Sequence, residues 1–210
     1  SNQMPIKKTE IEKGQGGWAI WQVDEMESEL AFRAQEECPS DVVNESKRLE
    51  WLAGRNLLRY LAEAMGEAYM GVHKDEYGKP FLRKSSFHVS LSHSYPYVAA
   101  QISINHPVGI DLEQPKEKLL HIAPRVLSPI ELQDAGQSLP KHCVYWCAKE
   151  ALYKVDGKKG LHFSNQLNIA PFELQEAGGL TGTISRFEKQ MVHLAYVVDK
   201  EFVLVYTKKN

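Results

Sequence analysis

The chain has 210 residues, 43% hydrophobic and 25% charged, a balance that excludes a disordered or fibrous segment and places it among globular proteins. At this length about 70% of the unfolded surface can be buried, so one large domain or two small ones hold together without staples. With 25 basic and 27 acidic residues the net charge is −2, which gives no global attraction to nucleic acid or an anionic membrane, so any anion site must be local.

Three cysteines, Cys38, Cys143 and Cys147, are an odd number without zinc-like pairing and point to a reducing compartment. The opening residues 1–10 lack an apolar signal region and no stretch reaches the length of a membrane span, so a cytoplasmic chain is expected. Residues 18–23 alternate apolar and polar and predict a strand, after which Asp24 is placed to cap a helix turning Met26, Leu30 and Phe32 inward. From residues 44 to 65, Leu49, Leu52, Ala53, Leu57, Tyr60, Leu61 and Ala64 recur at helical spacing, with Gly66 as the stop. Short strands follow at 69–73, 87–91 and 97–103, the first two separated by the turn Asp75-Glu-Tyr-Gly-Lys-Pro80.

Asn105-His-Pro107 is a polar break, and the expected division falls there, into a lobe of residues 1–105 and one of 106–210. Beyond it come an apolar strand at 108–112, a helical region, a helix over 141–155, and alternating strands at 167–170, 182–187, 192–198 and 202–206. Helices with strands outside βαβ units predict an α+β fold of two similar lobes, each a long helix on a small antiparallel sheet.

Four motifs carry chemistry. Asp111 and Glu113 flank Leu112 at the end of an apolar strand, so both carboxylates share a face about 6.7 Å apart. That suits a solvated strand, or a hard cation such as Mg²⁺ that takes oxygen ligands and leaves room for phosphate. Glu150 and Lys154 stack on one helical face below Trp146, either as a surface ion pair or at the wall of a cleft. Ser90-Leu-Ser-His-Ser94, read as the loop after a strand, offers hydroxyls and an imidazole to phosphate oxygens. Lys79, between Gly78 and Pro80, sits on a rigid turn, a plain hairpin or a fixed point charge for phosphate. Arg48, Arg55 and Arg59 on the long helix divide between solvent and cleft, and Cys143 and Cys147 read as core thiols. No Gly-x-Ser-x-Gly elbow, dinucleotide loop, Walker lysine or zinc-helix spacing is present.

Taken together, Glu76-Tyr-Gly-Lys79-Pro, Ser-Leu-Ser92-His93-Ser, Val108-Gly-Ile-Asp111-Leu-Glu113 and Trp146-Cys-Ala-Lys149-Glu150-Ala-Leu-Tyr-Lys154, in this order, resemble the 4′-phosphopantetheinyl transferases over roughly residues 45–170. The likeness is to the long, monomeric, surfactin-synthetase-activating type, whose lobes are pseudo-symmetric halves. Arg125-Val-Leu-Ser-Pro-Ile-Glu131 is similar to the family's segment after the metal strand, with Leu127 in place of the usual aromatic. The resemblance implies transfer of the phosphopantetheine arm of coenzyme A to a serine of an apo acyl or peptidyl carrier protein, releasing adenosine 3′,5′-bisphosphate. By match, Asp111, Glu113 and Glu150 are Mg²⁺ ligands and Lys154 stabilises the pyrophosphate. Lys79, Ser92, His93 and, more loosely, Arg48 contact coenzyme A. The residues leave Glu150 and Glu131 open as the base. They also leave open a non-catalytic coenzyme A or carrier-binding module and a Mg²⁺-dependent phosphohydrolase.

Overall fold

The structure, a computed structural model, describes residues 6–209; the first five residues of the opening stretch read above lie outside them. The chain divides into two compact units, the first ending at Pro107 and the second beginning at Val108.

In the first unit, β1 (Ile6–Glu12) and β2 (Gly16–Gln22) form a hairpin, followed by α1 (Glu27–Ala34) and α2 (Glu45–Ala64). A small hairpin of β3 (Val72–Lys74) and β4 (Pro80–Leu82) precedes the long hairpin of β5 (His88–Ser94) and β6 (Tyr97–Ser103). The main sheet has the order β1-β2-β6-β5, antiparallel throughout. The 20-residue α2 forms because Asn44 caps it, its side chain accepting from the Lys47 N–H, and because a leucine-rich stripe gives it a face to bury. Leu52, Leu57, Leu58 and Leu61 lose all solvent contact in the core beneath the sheet. At about 25 cal/mol per Å² of apolar area, each contributes roughly 2–3 kcal/mol, and this burial fixes the helix on the sheet.

Three expectations need correction here. The cap of α1 is Met26 rather than Asp24, and its side chain makes no capping bond. Met26 and Phe32 face solvent, Phe32 with 85% of its surface exposed, because this short helix buries Leu30 and Ala34, with Ala31 packed beside them, against the core. Phe32, two residues from Leu30, points to the opposite side of the helix. Ser90-Leu-Ser-His-Ser94 is part of β5 itself, paired residue by residue with β6, rather than a loop after a strand.

The second unit runs β7 (Ile110–Glu113), α3 (Lys118–Val126), α4 (Pro129–Ala135), α5 (Leu139–Asp156) and α6 (Phe163–Gln166), then β8 (Leu167–Ile169), β9 (Ala177–Ser185), β10 (Lys189–Val198) and β11 (Val203–Thr207). Its sheet has the order β7-β11-β10-β9-β8, again antiparallel. Both units therefore share one connectivity: a strand (β2 or β7), a long helix (α2 or α5), and a later hairpin whose last strand pairs with the first. The fold is α+β in both halves, a long helix on an antiparallel sheet. Among the described residues no helix is long and apolar enough to cross a membrane.

Candidate active site

The second unit brings β7 and α5 together so closely that a side chain at Gly109 has no room. A Cβ there would lie 2.0 Å from the Ala151 carbonyl oxygen, so the strand lies directly on the helix backbone. The register β7 against β11, with Asp111 opposite Val205 and Glu113 opposite Val203, then holds both carboxylates at a fixed height along α5. Ser138 caps α5 by accepting from the Lys141 N–H, and Gly157, at φ 69°, ends it one residue past Asp156.

Lys154 reaches back from the last turn of α5 to the strand. Its Nζ donates to the Ile110 carbonyl at 2.8 Å and to Asp111 Oδ1 at 3.2 Å. Asp111 is buried and Lys154 half-buried, so the pair is protected from much of the screening that weakens surface pairs. Glu150, one turn earlier on the same stripe, is pushed up to about 7, first by burial and then by the charge on Asp111; Lys154 pulls it down and Glu113 adds to the rise. Burial and Asp111 also raise Glu113, while Trp146, whose indole donates to its carboxylate, holds it back together with Lys118 and Lys154. Three carboxylates thus feel one another's charge, with Lys154 among the cations that offset them. In elementary chemistry that donor set fits a hard cation with water or phosphate completing its shell. Among the described residues, however, no three His, Cys, Asp or Glu side chains are gathered tightly enough to hold an ion as they stand.

Glu131 has a different environment. It is almost wholly buried; its Oε1 accepts from the Ser128 N–H at 2.7 Å and lies 2.5 Å from Lys149 Nζ, and its Oε2 accepts from the Ile169 N–H at 2.8 Å. Lys149, with no exposed surface, also donates to the Val126 and Phe163 carbonyls at 2.9 and 2.6 Å. This closed cage ties α4, α5, α6 and β8 together. The sequence reading passed over Lys149, although its place three residues before Leu152 and four after Tyr145, both core residues, marked it as a lysine on a buried stripe. Cys143 and Cys147 are buried free thiols, as expected of core residues, and burial above all raises the Cys147 thiol well above its ordinary value.

In the first unit, Asp75 Oδ1 accepts from the Tyr77 and Lys79 N–H groups, each at 2.9 Å, and Gly78 adopts φ 84°, which locks the turn that presents Lys79. Ser92 is buried on β5. His93, next to it, is exposed, with Nδ1 3.0 Å from Glu50 Oε2 on α2. Arg48 is committed to the protein: Nε donates to Glu27 and Nη1 to the Pro39 and Val42 carbonyls. Of the expected site residues, Asp111, Glu113, Glu150 and Lys154 thus meet on β7 and α5 of the second unit. Lys79, Ser92, His93 and Arg48 lie on the first.

Residues 107–207 match the model of the 4′-phosphopantetheinyl transferase superfamily. The chain is 35% identical over 139 residues to the 4′-phosphopantetheinyl transferase psf-1 of Bacillus pumilus, an alignment covering 63% of this chain and 58% of the relative. It is also 35% identical over 124 residues to the 4′-phosphopantetheinyl transferase gsp of Aneurinibacillus migulanus, covering 55% and 52%. A holo-[acyl-carrier-protein] synthase of Bacillus pumilus (strain SAFR-032) matches at 34% over 79 residues, 30% of this chain and 63% of the relative. The strand that carries paired carboxylates, the helix that carries Glu150 and Lys154, and all but the first residue of the superfamily match fall in the second unit. That unit is where the likeness to the 4′-phosphopantetheinyl transferase superfamily is concentrated. It spans a little over half the length of the two transferases it matches.

Proposed function

We propose that the protein transfers the 4′-phosphopantetheine arm of coenzyme A to a serine of an apo acyl or peptidyl carrier protein, dependent on Mg²⁺, and releases adenosine 3′,5′-bisphosphate. The observation that carries this is the grip of Lys154 on Asp111 and the Ile110 carbonyl, beside a Glu150 that burial and two neighbouring carboxylates hold near neutrality. Asp111, Glu113 and Glu150 are the side chains that would hold Mg²⁺, and the ion would neutralise the coenzyme A pyrophosphate when bound.

The chain's own residues do the rest. Phosphoryl transfer asks the protein for positioning and charge rather than covalent chemistry. Lys154, held in place at two points, directs its ammonium at charge building on the leaving phosphate. Glu150 takes the proton of the attacking serine hydroxyl, since a base works best with a pKa near the working pH. Glu131 is the weaker candidate because its oxygens already accept from Ser128, Lys149 and Ile169 inside a closed cage. Lys79, Ser92 and His93 contact coenzyme A from the first unit, and Arg48, held by Glu27 and the Pro39 and Val42 carbonyls, orders the 39–42 segment just ahead of it in sequence. The protein acts as a single cytoplasmic chain, with coenzyme A and the carrier as its partners. Chromatographic detection of adenosine 3′,5′-bisphosphate, formed only when coenzyme A, carrier and Mg²⁺ are all present, tests the proposal. Product formed without carrier would mark a phosphohydrolase instead.

A further inference from the structure

Helix α2 carries Arg48, Arg55 and Arg59 at spacings that stack them along one stripe. Two of the three are engaged with the protein. Arg48 clasps Glu27 and two carbonyls, and Arg59 Nη2 donates to the Ala34 carbonyl at 2.8 Å while its guanidinium lies 4.8 Å from the centre of the Tyr69 ring. Arg55 between them is different. Only 9% of it is exposed and its guanidinium stacks 3.9 Å from the centre of the Trp51 ring, yet among the described residues it has neither a hydrogen-bond acceptor nor an ion-pair partner. One turn further on, Arg59 Nε is sealed from solvent without an acceptor.

Arg55 is buried as a residue, but none of its nitrogens is among the polar atoms sealed from solvent without a partner, so the unused donors of its fork stand open to an anion or to water. The groups around Arg55 are few. Tyr69 donates its hydroxyl to Glu36 Oε2 at 3.0 Å, and Cys38 lies close by; burial draws Arg55 below its ordinary value while Tyr69, Glu36 and Cys38 draw it back. Glu36 is the one carboxylate felt at Arg55, and it is occupied by Tyr69 rather than by the arginine. The remaining acid on the stripe, Glu63, stands 3.8 Å from Arg59 Nη1 and is exposed.

We propose that Arg55 and Arg59 form a binding site for a tetrahedral oxyanion of the phosphate class, with Trp51 as its wall. The rigid donor fork of a guanidinium matches two oxygens of such an anion, and stacking on an indole leaves the edge of the fork free to donate. Arg55 supplies the open fork, and the charge of Arg59, one helical turn on and held by the Ala34 carbonyl, adds to the attraction. The stripe lies about 140° around α2 from Glu50, the residue that holds His93, so this site is separate from the Lys79, Ser92 and His93 group and does not depend on the transferase reading.

Inorganic phosphate is the probe, titrated into the full chain in EDTA at constant ionic strength against chloride, with binding followed by calorimetry and by the thermal midpoint. Saturable binding is expected. Arg55→Met weakens it about tenfold or more, the weight of one charge-assisted bond. Glu36→Gln tightens it by removing the competing carboxylate, and Lys200→Ala, at an exposed lysine of the second unit, leaves it unchanged. No saturable binding beyond the chloride control overturns the proposal, as does loss of binding in Lys79→Ala with Arg55→Met binding like the wild type. Where Arg55→Met fails to fold, Arg59→Gln and Glu36→Gln decide: opposite shifts in affinity support the site, and no shift in either overturns it.

Discussion

Glu150→Gln separates stability from catalysis at this site. The carboxylate is raised from its ordinary 4.5 to about 7 by burial and by Asp111 and Glu113, net of the attraction of Lys154. Because the folded protein holds that proton more tightly than the unfolded chain, stability is fully present below pH 4.5 and falls as pH rises toward 7. At about 1.36 kcal/mol per pH unit, the charged Glu150 costs the metal-free protein roughly 3 kcal/mol above neutrality. A glutamine has the same shape and no charge to bury, so Glu150→Gln in EDTA at pH 8 should be stabilised by up to roughly 3 kcal/mol. For a chain of this size that corresponds to about 6–10 °C in thermal midpoint. At pH 4 the two proteins should melt together. The same variant should lose on the order of 10²–10³ in transfer rate, the loss seen when one transition-state stabiliser is removed. Calorimetry across pH 4–8 beside a transfer assay reads both effects. Equal midpoints at pH 8, or a variant that transfers at the wild-type rate, would refute the reasoning.

Four further perturbations test the site and the framework beneath it. Gly109→Ala places a methyl 2.0 Å from the Ala151 carbonyl oxygen, so β7 must move off α5; urea unfolding should show a loss of about 3 kcal/mol, with transfer activity lost alongside. Lys149→Met leaves Glu131 a buried carboxylate without its cation, a cost of about 3–5 kcal/mol that grows as pH rises, and adding Glu131→Gln should recover part of it. Lys154→Ala should cut transfer on the order of 10²–10³ while leaving carrier-independent coenzyme A binding within a few-fold, as measured by calorimetry. Phe32→Ser, on the exposed face of α1, should change stability by no more than about 0.5 kcal/mol in the same urea assay.

How much could be read ahead of the structure depended on whether burial leaves a trace in the residue pattern. Helix α2 was legible because twenty residues of leucine-rich periodicity and a capping asparagine agree with one another. The eight residues of α1 give only Leu30 and Ala34 to the core, too few to fix a phase, so Phe32 was turned the wrong way. Strand β1 was missed because five of its seven residues are exposed, leaving only Ile6 and Ile11 as apolar markers. The first half of β9 was hidden by Gly178 and Gly179, the first of which serves as space for a neighbour: a Cβ at Gly178 would meet the Tyr196 ring and hydroxyl.

At the site, Asp111, Glu113, Glu150 and Lys154 were legible because their chemistry and spacing survive in short motifs. The cage of Lys149 and Glu131 was not, since eighteen residues separate the partners and a buried ion pair carries the same letters as a solvated one. Spacing along α2 likewise did not say which arginine is committed to carbonyls. Arg48 is, and Arg55 is not.

The central claim is transfer of a phosphopantetheine arm, and intact mass spectrometry of an apo carrier protein tests it most directly. The carrier is incubated with this protein, coenzyme A and Mg²⁺, with EDTA in a parallel sample. The account predicts a gain of one phosphopantetheine group on the carrier, abolished by EDTA and by substitution of its acceptor serine. No gain on several different carriers, with coenzyme A bound all the same, would contradict it and leave a binding module on a transferase scaffold.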